Sequence, residues 1–400
     1  MLDFRRSQQK IIQCAENIVH SVNIKKGEHV AINGGSHAQE LLEEIGLHVY
    51  RVGGLPVIFS TSDRYKKAIL HDKGIKIRTL QKTPAHLLKF TEALDVNISI
   101  DPLEDPVILR TAPVKKRLAY FTGVDPIKDV MYGKRQEFYP GKKWIFAGWP
   151  TRKAAKFYNV EFEFYEQLLL NGMCVPSEQL AEIGNTIRSL LVNAKRLYIK
   201  DDLGSDFWVS VENRRFNIDD GYLSDDKIAH NFVGANLPAG EVSVSPIETK
   251  GEGVLICPIA LDIFSFNFIK NLELHFKDGK LLLDKVSADK HLDEFMLTFK
   301  YAEAKDRRKF SQLRTYNIAE LGIGCNPEIT RAIGYILTDE KITGTVHIAF
   351  GNNSYYGGTS SSSIHWDFVS EPSASITVEY LDGSKKEIME SGKVINLASC

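Results

Sequence analysis

The spacing of apolar residues changes near residue 190, and this change constrains the fold more than any other feature of the chain. Before it, short apolar runs at 29–33 and 57–59 alternate with amphipathic helical patterns, for example over 7–22. Alternation of this kind is typical of a parallel sheet covered by helices. We therefore predict an α/β domain with a mainly parallel sheet over residues 1–190, one of two domains in a chain of 400 residues.

Further apolar runs extend this pattern along the first domain. We predict strands at 97–100, 107–109 and 144–147, followed by a helical region over 153–192 that is broken near Pro176. The turn Gly34-Gly35-Ser36 follows the first strand but lacks the spacing of either nucleotide-binding fingerprint. We interpret it as an ordinary turn between a strand and a helix.

Short β-rich runs separated by turn residues dominate the chain after residue 194. Two of the turns, Asp278-Gly279 and Asp382-Gly383, lie between apolar runs and have the composition of tight hairpin turns. Helical patterns return at 288–304 and 327–333. Residues 191–400 are therefore predicted to form an α+β domain with a mixed or antiparallel sheet, and this domain is expected to carry the functional site.

Composition argues against several classes of partner. The formal net charge is -1, so no broad basic field is available to bind nucleic acid or an anionic membrane. No run of 18 apolar residues occurs, and the N-terminal sequence lacks the apolar core of a signal peptide. The five cysteines are scattered and form no C-x-x-C pair, which fits a reducing compartment. We expect a cytoplasmic protein that binds neither nucleic acid nor membrane.

Two histidines and several carboxylates are concentrated in apolar runs towards the C-terminal end. His365 and Asp367 are two residues apart in a strand pattern, so their side chains share one face. His347 interrupts an almost wholly apolar strand, and Asp339-Glu340 precede it across a short loop. Taken singly, these are also the features of a solvent-facing strand edge, a hydrogen-bonded core histidine and a solvated turn.

Glu241 and Glu320 add two carboxylates from upstream stretches that are otherwise apolar or contain glycine. A charge in such surroundings is unfavourable unless something holds it. A set of carboxylates and imidazoles without thiolates suits Zn, Mn, Co or Fe. Carboxylate-rich hydrolases use two such ions, about 3.5–4 Å apart, to activate water. The sequence therefore indicates a metal site assembled from distant segments.

The candidate ligands lie in short motifs that together resemble those of a known family. They are Gly204-Ser205-Asp206-Phe207, Asn236-Leu237-Pro238-Ala239-Gly240-Glu241-Val242, Ala319-Glu320-Leu321, Asp339-Glu340, His347-Ile348-Ala349-Phe350-Gly351 and Ile364-His365-Trp366-Asp367. Their order and composition are similar to those of the thermophilic aminopeptidases, peptidase family M29, a group that includes leucyl aminopeptidase-like enzymes.

The resemblance implies an activity and a site. The activity is that of a metalloaminopeptidase, which removes N-terminal and often apolar residues from peptide substrates. The implied protein is a homodimer whose N-terminal domain covers the active site. Two divalent ions (Zn, Co or Mn) lie in the C-terminal domain, bridged by a carboxylate for which Glu320 is the candidate. The implied ligands are Glu241, Glu320, Glu340, His347, His365 and Asp367.

Catalytic groups follow from the same resemblance. Glu241 or Glu340, whichever is not a ligand, is expected to act as general base. The family carries a tyrosine seven residues after the motif histidine, but position 354 here is Ser354. Tyr355 or one of the metal ions is therefore expected to stabilise the oxyanion. The chain also has seven residues from Glu340 to His347 where the family has five. Because of this longer spacing, the resemblance constrains the position of Glu340 less than the positions of the other ligands.

Two other functions stay open from the sequence. The same superfamily contains mononuclear-iron dioxygenases that cleave dihydroxypyridine rings, and such a site would use Fe(II) with His365 and Asp367 but fewer carboxylates. A metal-binding protein without peptidase activity is the other alternative. The presence of both Glu241 and Glu320 favours the hydrolase.

Overall fold

The computed structural model describes residues 2–133, 141–354 and 357–395. The helices in these ranges are α1 (Leu2–Ser21), α2 (Gln39–Arg51), α3 (Asp63–His71), α4 (Ile77–Leu80), α5 (Ala85–Glu92), α6 (Val107–Thr111), α7 (Val114–Tyr132), α8 (Arg152–Tyr158), α9 (Phe162–Cys174), α10 (Ser177–Leu190), α11 (Asp225–Ala229), α12 (Leu292–Lys309) and α13 (Ile336–Asp339). None of these helices combines the length and the apolar character needed to cross a lipid bilayer.

The strands alternate with these helices in the first half of the chain and follow one another in the second. They are β1 (His29–Gly35), β2 (Leu55–Thr61), β3 (Val96–Ile100), β4 (Lys143–Ala147), β5 (Ala194–Lys200), β6 (Asp206–Ser210), β7 (Asn217–Asp219), β8 (Gly234–Leu237), β9 (Glu241–Val244), β10 (Gly251–Leu261), β11 (Phe268–Lys277), β12 (Lys280–Leu281), β13 (Ile318–Gly324), β14 (Val346–Gly351), β15 (His365–Val369), β16 (Ser375–Tyr380), β17 (Lys385–Glu390) and β18 (Lys393–Val394).

The chain forms two compact units, and neither is continuous in sequence. The first comprises Met1–Ser177 and Gly221–Ala239, and the second comprises Glu178–Asp220 and Gly240–Cys400. The segment 221–239 thus leaves the second unit and contributes α11 and β8 to the first. The division of the chain into an α/β domain at 1–190 and an α+β domain at 191–400 remains a prediction.

A parallel sheet is the centre of the first unit. Its order is β2-β1-β3-β4-β8, and every neighbouring pair is parallel. Ile32, Ile98 and Ile145 lie side by side on the three central strands and are fully buried. Buried, β-branched central strands are what a sheet covered by helices requires. The predicted α/β fold with a parallel sheet is confirmed.

The strand predicted at 107–109 is wrong, because these residues form the short helix α6. Pro106 stands just before it, and proline is well suited to the start of a helix. The Asp105 side chain accepts a hydrogen bond from the Val107 backbone N–H (3.0 Å), which satisfies one donor of the first turn. Local capping therefore outweighs the β propensity of the run.

Two antiparallel sheets and α12 build the second unit. One sheet has the order β12-β11-β10-β6-β5-β16-β17-β18, and the other has the order β15-β14-β13-β9-β7. Both contribute to one apolar core, where the Phe295 and Phe299 rings of α12 lie 5.2 and 5.6 Å from the Trp366 ring of β15. The predicted α+β architecture is confirmed, with antiparallel rather than mixed sheets.

Turn chemistry explains both a success and an error of the sequence prediction. Asp278 (φ 52°) and Gly279 (φ 68°) form the predicted two-residue hairpin turn, which requires positive φ at both positions. The helix predicted at 327–333 is wrong, and α13 follows it instead. The Ile333 and Gly334 N–H groups donate to the Asp339 carboxylate at 3.0 and 2.6 Å, which fixes this segment as a loop.

Candidate metal centre

One face of the five-stranded sheet is charged and the opposite face is apolar. Residues two apart on a strand share a face, and so do directly paired residues on neighbouring strands. The apolar face belongs to the core of the second unit through Val242, Leu321, Ile323, Ile348 and Phe368. The other face carries the charged set Asp219, Glu241, Glu320, His347, His365 and Asp367. Alternation along β7, β9, β14 and β15, and along β13 from Glu320 onward, therefore collects these side chains on one side.

The strand register sets the charged side chains in rows. Ala349 is paired with Glu320 on one side and with Asp367 on the other, so the two carboxylates flank a small residue. His365 is paired with Gly351 in the next row. Because alanine and glycine leave room above the sheet, the long charged side chains can converge there.

The absence of a side chain at Gly322 leaves room for the imidazole of His347. It is paired with His347, and a Cβ built at Gly322 would lie 2.1 Å from His347 Cε1 and 2.2 Å from its Nε2. The imidazole therefore lies against the bare backbone of β13. From there, His347 Nε2 reaches to 3.7 Å from Glu241 Oε2.

Glu320, His365 and Asp367 form one group of donors, here called triad A. One ligand atom from each lies within 4.8 Å of the others. His365 Nε2 is 3.1 Å from Glu320 Oε2 and 3.3 Å from Asp367 Oδ1. His365 Nδ1 lies 2.6 Å from the Asn352 carbonyl, which can only accept, so Nδ1 carries the proton and donates. Nε2 is thereby directed at the two carboxylates, the orientation that a metal-binding imidazole needs.

Glu241, Glu340 and His347 form a second group, triad B, with ligand atoms again within 4.8 Å of one another. A lysine also reaches this group. Lys341 Nζ lies 2.9 Å from Glu340 Oε1, 3.0 Å from Glu241 Oε2 and 3.3 Å from Asp219 Oδ2. The Lys341 side chain is completely buried, so its ammonium is surrounded by carboxylates rather than water.

Burial and the neighbouring charges shift the titration of these groups. Burial raises the pKa of Glu241 well above its usual range and raises that of Glu340 to about 7, although the Lys341 ammonium lowers both. Burial lowers the pKa of His347, which favours the neutral imidazole that a metal binds. Burial also lowers the pKa of Lys341, but Glu241, Glu340 and Asp219 outweigh this effect and raise it well above its ordinary value.

His365 and Asp367 are shifted in opposite directions. Burial lowers the pKa of His365, but Asp367 and Glu320 raise it well above the usual range. Burial raises the pKa of Asp367, while His365 lowers it to a net value below the ordinary one. In the absence of an ion the two therefore behave as a charged pair, and a divalent cation would take the place of the proton on Nε2.

Asp339, the neighbour of Glu340, binds backbone N–H groups instead of belonging to a triad. Its carboxylate accepts the hydrogen bonds of the Ile333 and Gly334 backbone and one from Thr338 Oγ1 at 3.2 Å. Burial raises its pKa to about 7. Asp339 thus shapes the segment before α13, and Glu340 alone of the adjacent acids enters the site.

The donors fit a divalent metal ion. Each triad offers one imidazole and two carboxylates without a thiolate, a set suited to Zn, Mn, Co or Fe. Within the described part of the chain, the buried His347 Nδ1 finds no hydrogen-bond partner. A buried polar atom without a partner is costly unless a ligand satisfies it.

The structure brings together all six side chains that the sequence named as ligands, Glu340 included. The longer stretch between Glu340 and His347 lies in the loop 341–345, outside the paired strand residues. Tyr355 lies outside the described residues. Asp219 and Lys341 are members of the cluster that the sequence did not indicate. Asp219 stands before Asp220-Gly221 like a turn residue, and Lys341 begins a short loop, so both resembled solvated positions.

Comparisons with known proteins agree on the fold. The model of a family described as thermophilic metalloprotease (M29) matches residues 7–394. AmpT from Thermus thermophilus is 16% identical, with 97% of this chain and 99% of that chain covered and a TM-score of 0.71. A 2,5-dihydroxypyridine dioxygenase from Pseudomonas putida KT2440 is 15% identical, with 97% of each chain covered and a TM-score of 0.56. No curated protein is significantly similar to the chain in sequence.

Proposed function

The chain belongs to the thermophilic metalloprotease family (M29), and from this premise we propose that it is an aminopeptidase that removes N-terminal residues from peptides. Membership makes the protein a metal-dependent hydrolase of peptide bonds, as the motifs predicted. The observation that carries the proposal is the pair of donor triads on one face of a single sheet.

We propose that triad A holds the divalent ion on which hydrolysis depends. Its carboxylates form ion pairs only with His365 within the described residues, so a cation is needed to balance them. Zn, Co or Mn suits these donors. The resemblance implies a second ion, and triad B contains the donors that would have to hold it. When bound, a divalent ion lowers the pKa of a water molecule and stabilises the charge of the tetrahedral intermediate.

The remaining side chains position and deprotonate the attacking water. Glu241 is 12% exposed and lies beside both His347 and Lys341, so its carboxylate is placed to accept a proton. The Asn352 carbonyl holds His365 in the tautomer whose Nε2 faces the reaction. The oxyanion role of Tyr355 stays a prediction from the motif.

An excess of negative charge supports selectivity for a free N-terminus. Five carboxylates converge on the site, and Lys341 is the lysine that forms ion pairs with them in the described ranges. When all five are ionised, one divalent ion and the Lys341 ammonium do not balance them, and the cluster is negative. A substrate's α-ammonium group is attracted to such a site, and a C-terminal carboxylate is repelled.

Hydrolysis of matched substrates tests the exopeptidase assignment. We expect metal-loaded protein to release p-nitroaniline from leucine p-nitroanilide and to leave the N-acetylated compound intact, because acetylation removes the α-ammonium charge. Treatment with a chelator should abolish the reaction, and Zn²⁺, Co²⁺ or Mn²⁺ should restore it. Equal cleavage of blocked and free peptides would show an endopeptidase instead.

The dioxygenase alternative has less support in the donor set. Non-haem Fe(II) oxygenases typically use two histidines and one carboxylate, whereas each triad here has one histidine and two carboxylates. The likeness to the dioxygenase structure is one of fold. Oxygen uptake with Fe²⁺ and a dihydroxypyridine, in the absence of peptidase activity, would reverse this preference.

The expected homodimer and cytoplasmic location remain predictions. The homodimer is checked by light scattering coupled to size-exclusion chromatography, where a mass near twice 45.0 kDa is expected. Fractionation of the cells that produce the protein checks the location.

A further inference from the structure

We propose that the Lys341 ammonium takes the place of the second metal ion in triad B, so that the chain holds a single divalent ion, in triad A. The inference rests on the proposed metal site but differs from the dinuclear arrangement that the resemblance implies. It assigns Lys341 as a positioning residue that neutralises triad B from within the protein.

The ammonium lies at ion-pair distance from the same atoms that an ion would need. Lys341 Nζ is 2.9 Å from Glu340 Oε1 and 3.0 Å from Glu241 Oε2, and the latter oxygen also lies 3.7 Å from His347 Nε2. An ion about 2.1 Å from these oxygens would lie within about 5 Å of Nζ. Because both are cations, they repel each other and compete for the same lone pairs.

Lys341 is fixed in place at both ends. Its backbone N–H donates to the Thr338 carbonyl at 2.9 Å, and its carbonyl accepts from the Asn326 N–H at 2.9 Å. Its side chain has no exposed surface, so the ammonium has no short way to water. A third carboxylate, Asp219, lies outside triad B and forms an ion pair with the ammonium at 3.3 Å. An ion entering triad B would leave a buried ammonium to be placed elsewhere, which is unfavourable.

The two triads differ in this respect. In the described ranges, the ion-pair partner of Glu320 and Asp367 is His365. Glu241 and Glu340 instead share the side chain of Lys341, whose Nζ lies 3.0 and 2.9 Å from their oxygens. The position between the carboxylates of triad B is therefore already filled by a side chain of the protein, whereas in triad A it is open to a divalent ion.

Metal counting on the whole chain tests the inference without an activity assay. Wild-type protein is stripped with a chelator, loaded with excess Zn²⁺, desalted and analysed by inductively coupled plasma mass spectrometry. We expect about one ion per chain for wild type and about two for Lys341→Met, which keeps the stem but removes the charge. Lys341→Arg keeps a cation at this place and is expected to stay near one.

A second variant keeps the inference falsifiable if Lys341→Met does not fold. In wild type, Glu340 holds no ion under this inference, so Glu340→Gln should leave the count at one, whereas in a dinuclear site it should reduce two to one. Glu320→Gln should lower the wild-type count to zero. Circular dichroism checks that each variant is folded.

The outcomes separate this inference from the proposed function. Two ions in wild type, unchanged in Lys341→Met, would overturn the role of Lys341 and leave the metallopeptidase proposal standing. A wild-type protein that binds no ion at all under loading conditions would contradict the proposed metal site itself.

Discussion

His347 and Lys341 show how single residues decide what the sheet can hold. The His347 imidazole occupies the volume that any side chain at Gly322 would take, so a backbone position without a Cβ is part of the site. Lys341 is fully buried between three carboxylates, although lysine is among the residues least often buried. The position of His347 over Gly322 follows from the pairing of β13 with β14. The burial of Lys341 follows from the loop that precedes β14.

Replacing Gly322 by Ala should displace His347. The added Cβ would meet the imidazole at 2.1 Å, so the ring must leave its place against β13. We expect kcat/KM to fall by roughly 100-fold, because His347 lies 3.7 Å from the proposed general base Glu241 and a displacement of about 1 Å near the reacting groups can cost that much. The measurement is leucine p-nitroanilide hydrolysis at a fixed metal concentration.

Gly46→Ala is the matched control for this change. Its Cβ would meet the flexible end of Ile58 at 3.1 Å in the first unit, where a small shift can relieve the contact. We expect activity within about twofold of wild type, since the contact is with Ile58 rather than a site residue and overpacking typically costs about 1–3 kcal/mol of stability. Full activity in Gly322→Ala would show that the position of His347 is not needed for turnover.

The candidate site could be predicted from sequence where strand periodicity applies. His365 and Asp367 follow from their spacing of two, and Glu241, Glu320 and His347 stand out as charges in apolar strands. Lys341 could not be predicted in this way, because a lysine after two acids in a loop has the pattern of a solvated residue. Its burial depends on tertiary contacts with Glu241 and Asp219, which precede it by 100 and 122 residues in the sequence.

Between β14 and β15, the described part of the connecting loop is held by one buried glutamate. Glu248 Oε1 accepts from the Thr359 N–H (2.6 Å) and from Asn353 Nδ2 (3.1 Å), while its Oε2 pairs with Arg214 at 2.8 Å. The same loop supplies the Asn352 carbonyl that orients His365. Glu248 therefore connects loop geometry to triad A.

Glu248→Gln should lower stability in a pH-dependent way. Burial raises the pKa of Glu248, but its hydrogen bonds and Arg214 outweigh this effect and lower the net pKa below the ordinary value of 4.5. A carboxyl whose pKa falls on folding stabilises the protein above its unfolded pKa and loses that contribution as the pH drops through its folded pKa.

We therefore expect wild type to exceed Glu248→Gln by about 1.5–3 kcal/mol in unfolding free energy at pH 7. The difference should shrink below about pH 4.5, where the wild-type carboxyl becomes protonated in the unfolded chain. Urea titrations at pH 7 and at several acidic pH values measure this. A difference that is independent of pH would indicate that the charge of Glu248 is not what anchors the loop.

Secondary structure was predictable where periodicity is strong and failed where side chains cap the backbone. The parallel strands β1, β3 and β4 and the hairpin at Asp278-Gly279 follow directly from the sequence. The runs at 107–109 and 327–333 were misassigned because Asp105 and Asp339 bind backbone N–H groups there. Hydrogen bonds of this kind leave no periodic signal.

Each compact unit consists of two separate segments of the chain, so a single boundary in the sequence does not divide them. Helix α10 precedes residue 191, yet its Ile187 and Leu190 are buried in the core of the second unit. The segment 221–239 belongs to the first unit. The chain leaves the second unit after Asp220 and returns to it at Gly240, and these two points are adjacent in space. Gly240 N–H donates to the Asp219 carbonyl at 2.9 Å.

Fragments test which residues the second unit needs. We expect residues 178–220, joined by a short Gly/Ser link to 240–400, to fold, and the same fragment without 178–190 to be much less stable. Burial of Ile187 and Leu190 contributes about 1.5–3 kcal/mol each, which is a large part of a typical domain stability. Thermal melts followed by circular dichroism compare the two. Equal melting temperatures would support the boundary at 190/191.

Metal binding should also stabilise the whole molecule. Without an ion, the carboxylates of triad A face each other across one imidazole, and a ligand that binds only the folded state stabilises it by about 4.1 kcal/mol at a thousandfold excess over Kd. We expect chelation to lower the melting temperature of wild type by several degrees. Glu320→Gln, which lacks the ion, should not respond, and an unresponsive wild type would argue against a resident metal.

The alternation along the five-stranded sheet also sets where the chain can change in length. A slip of one residue in β13, β14 or β15 would exchange the two faces, placing Phe350 and Phe368 among the charges and His347 in the core. Loops are free of this restriction, and the longer stretch between Glu340 and His347 lies in one. Insertions and deletions are therefore expected to accumulate in the connections between these strands, where the protein can alter its substrate range without losing its chemistry.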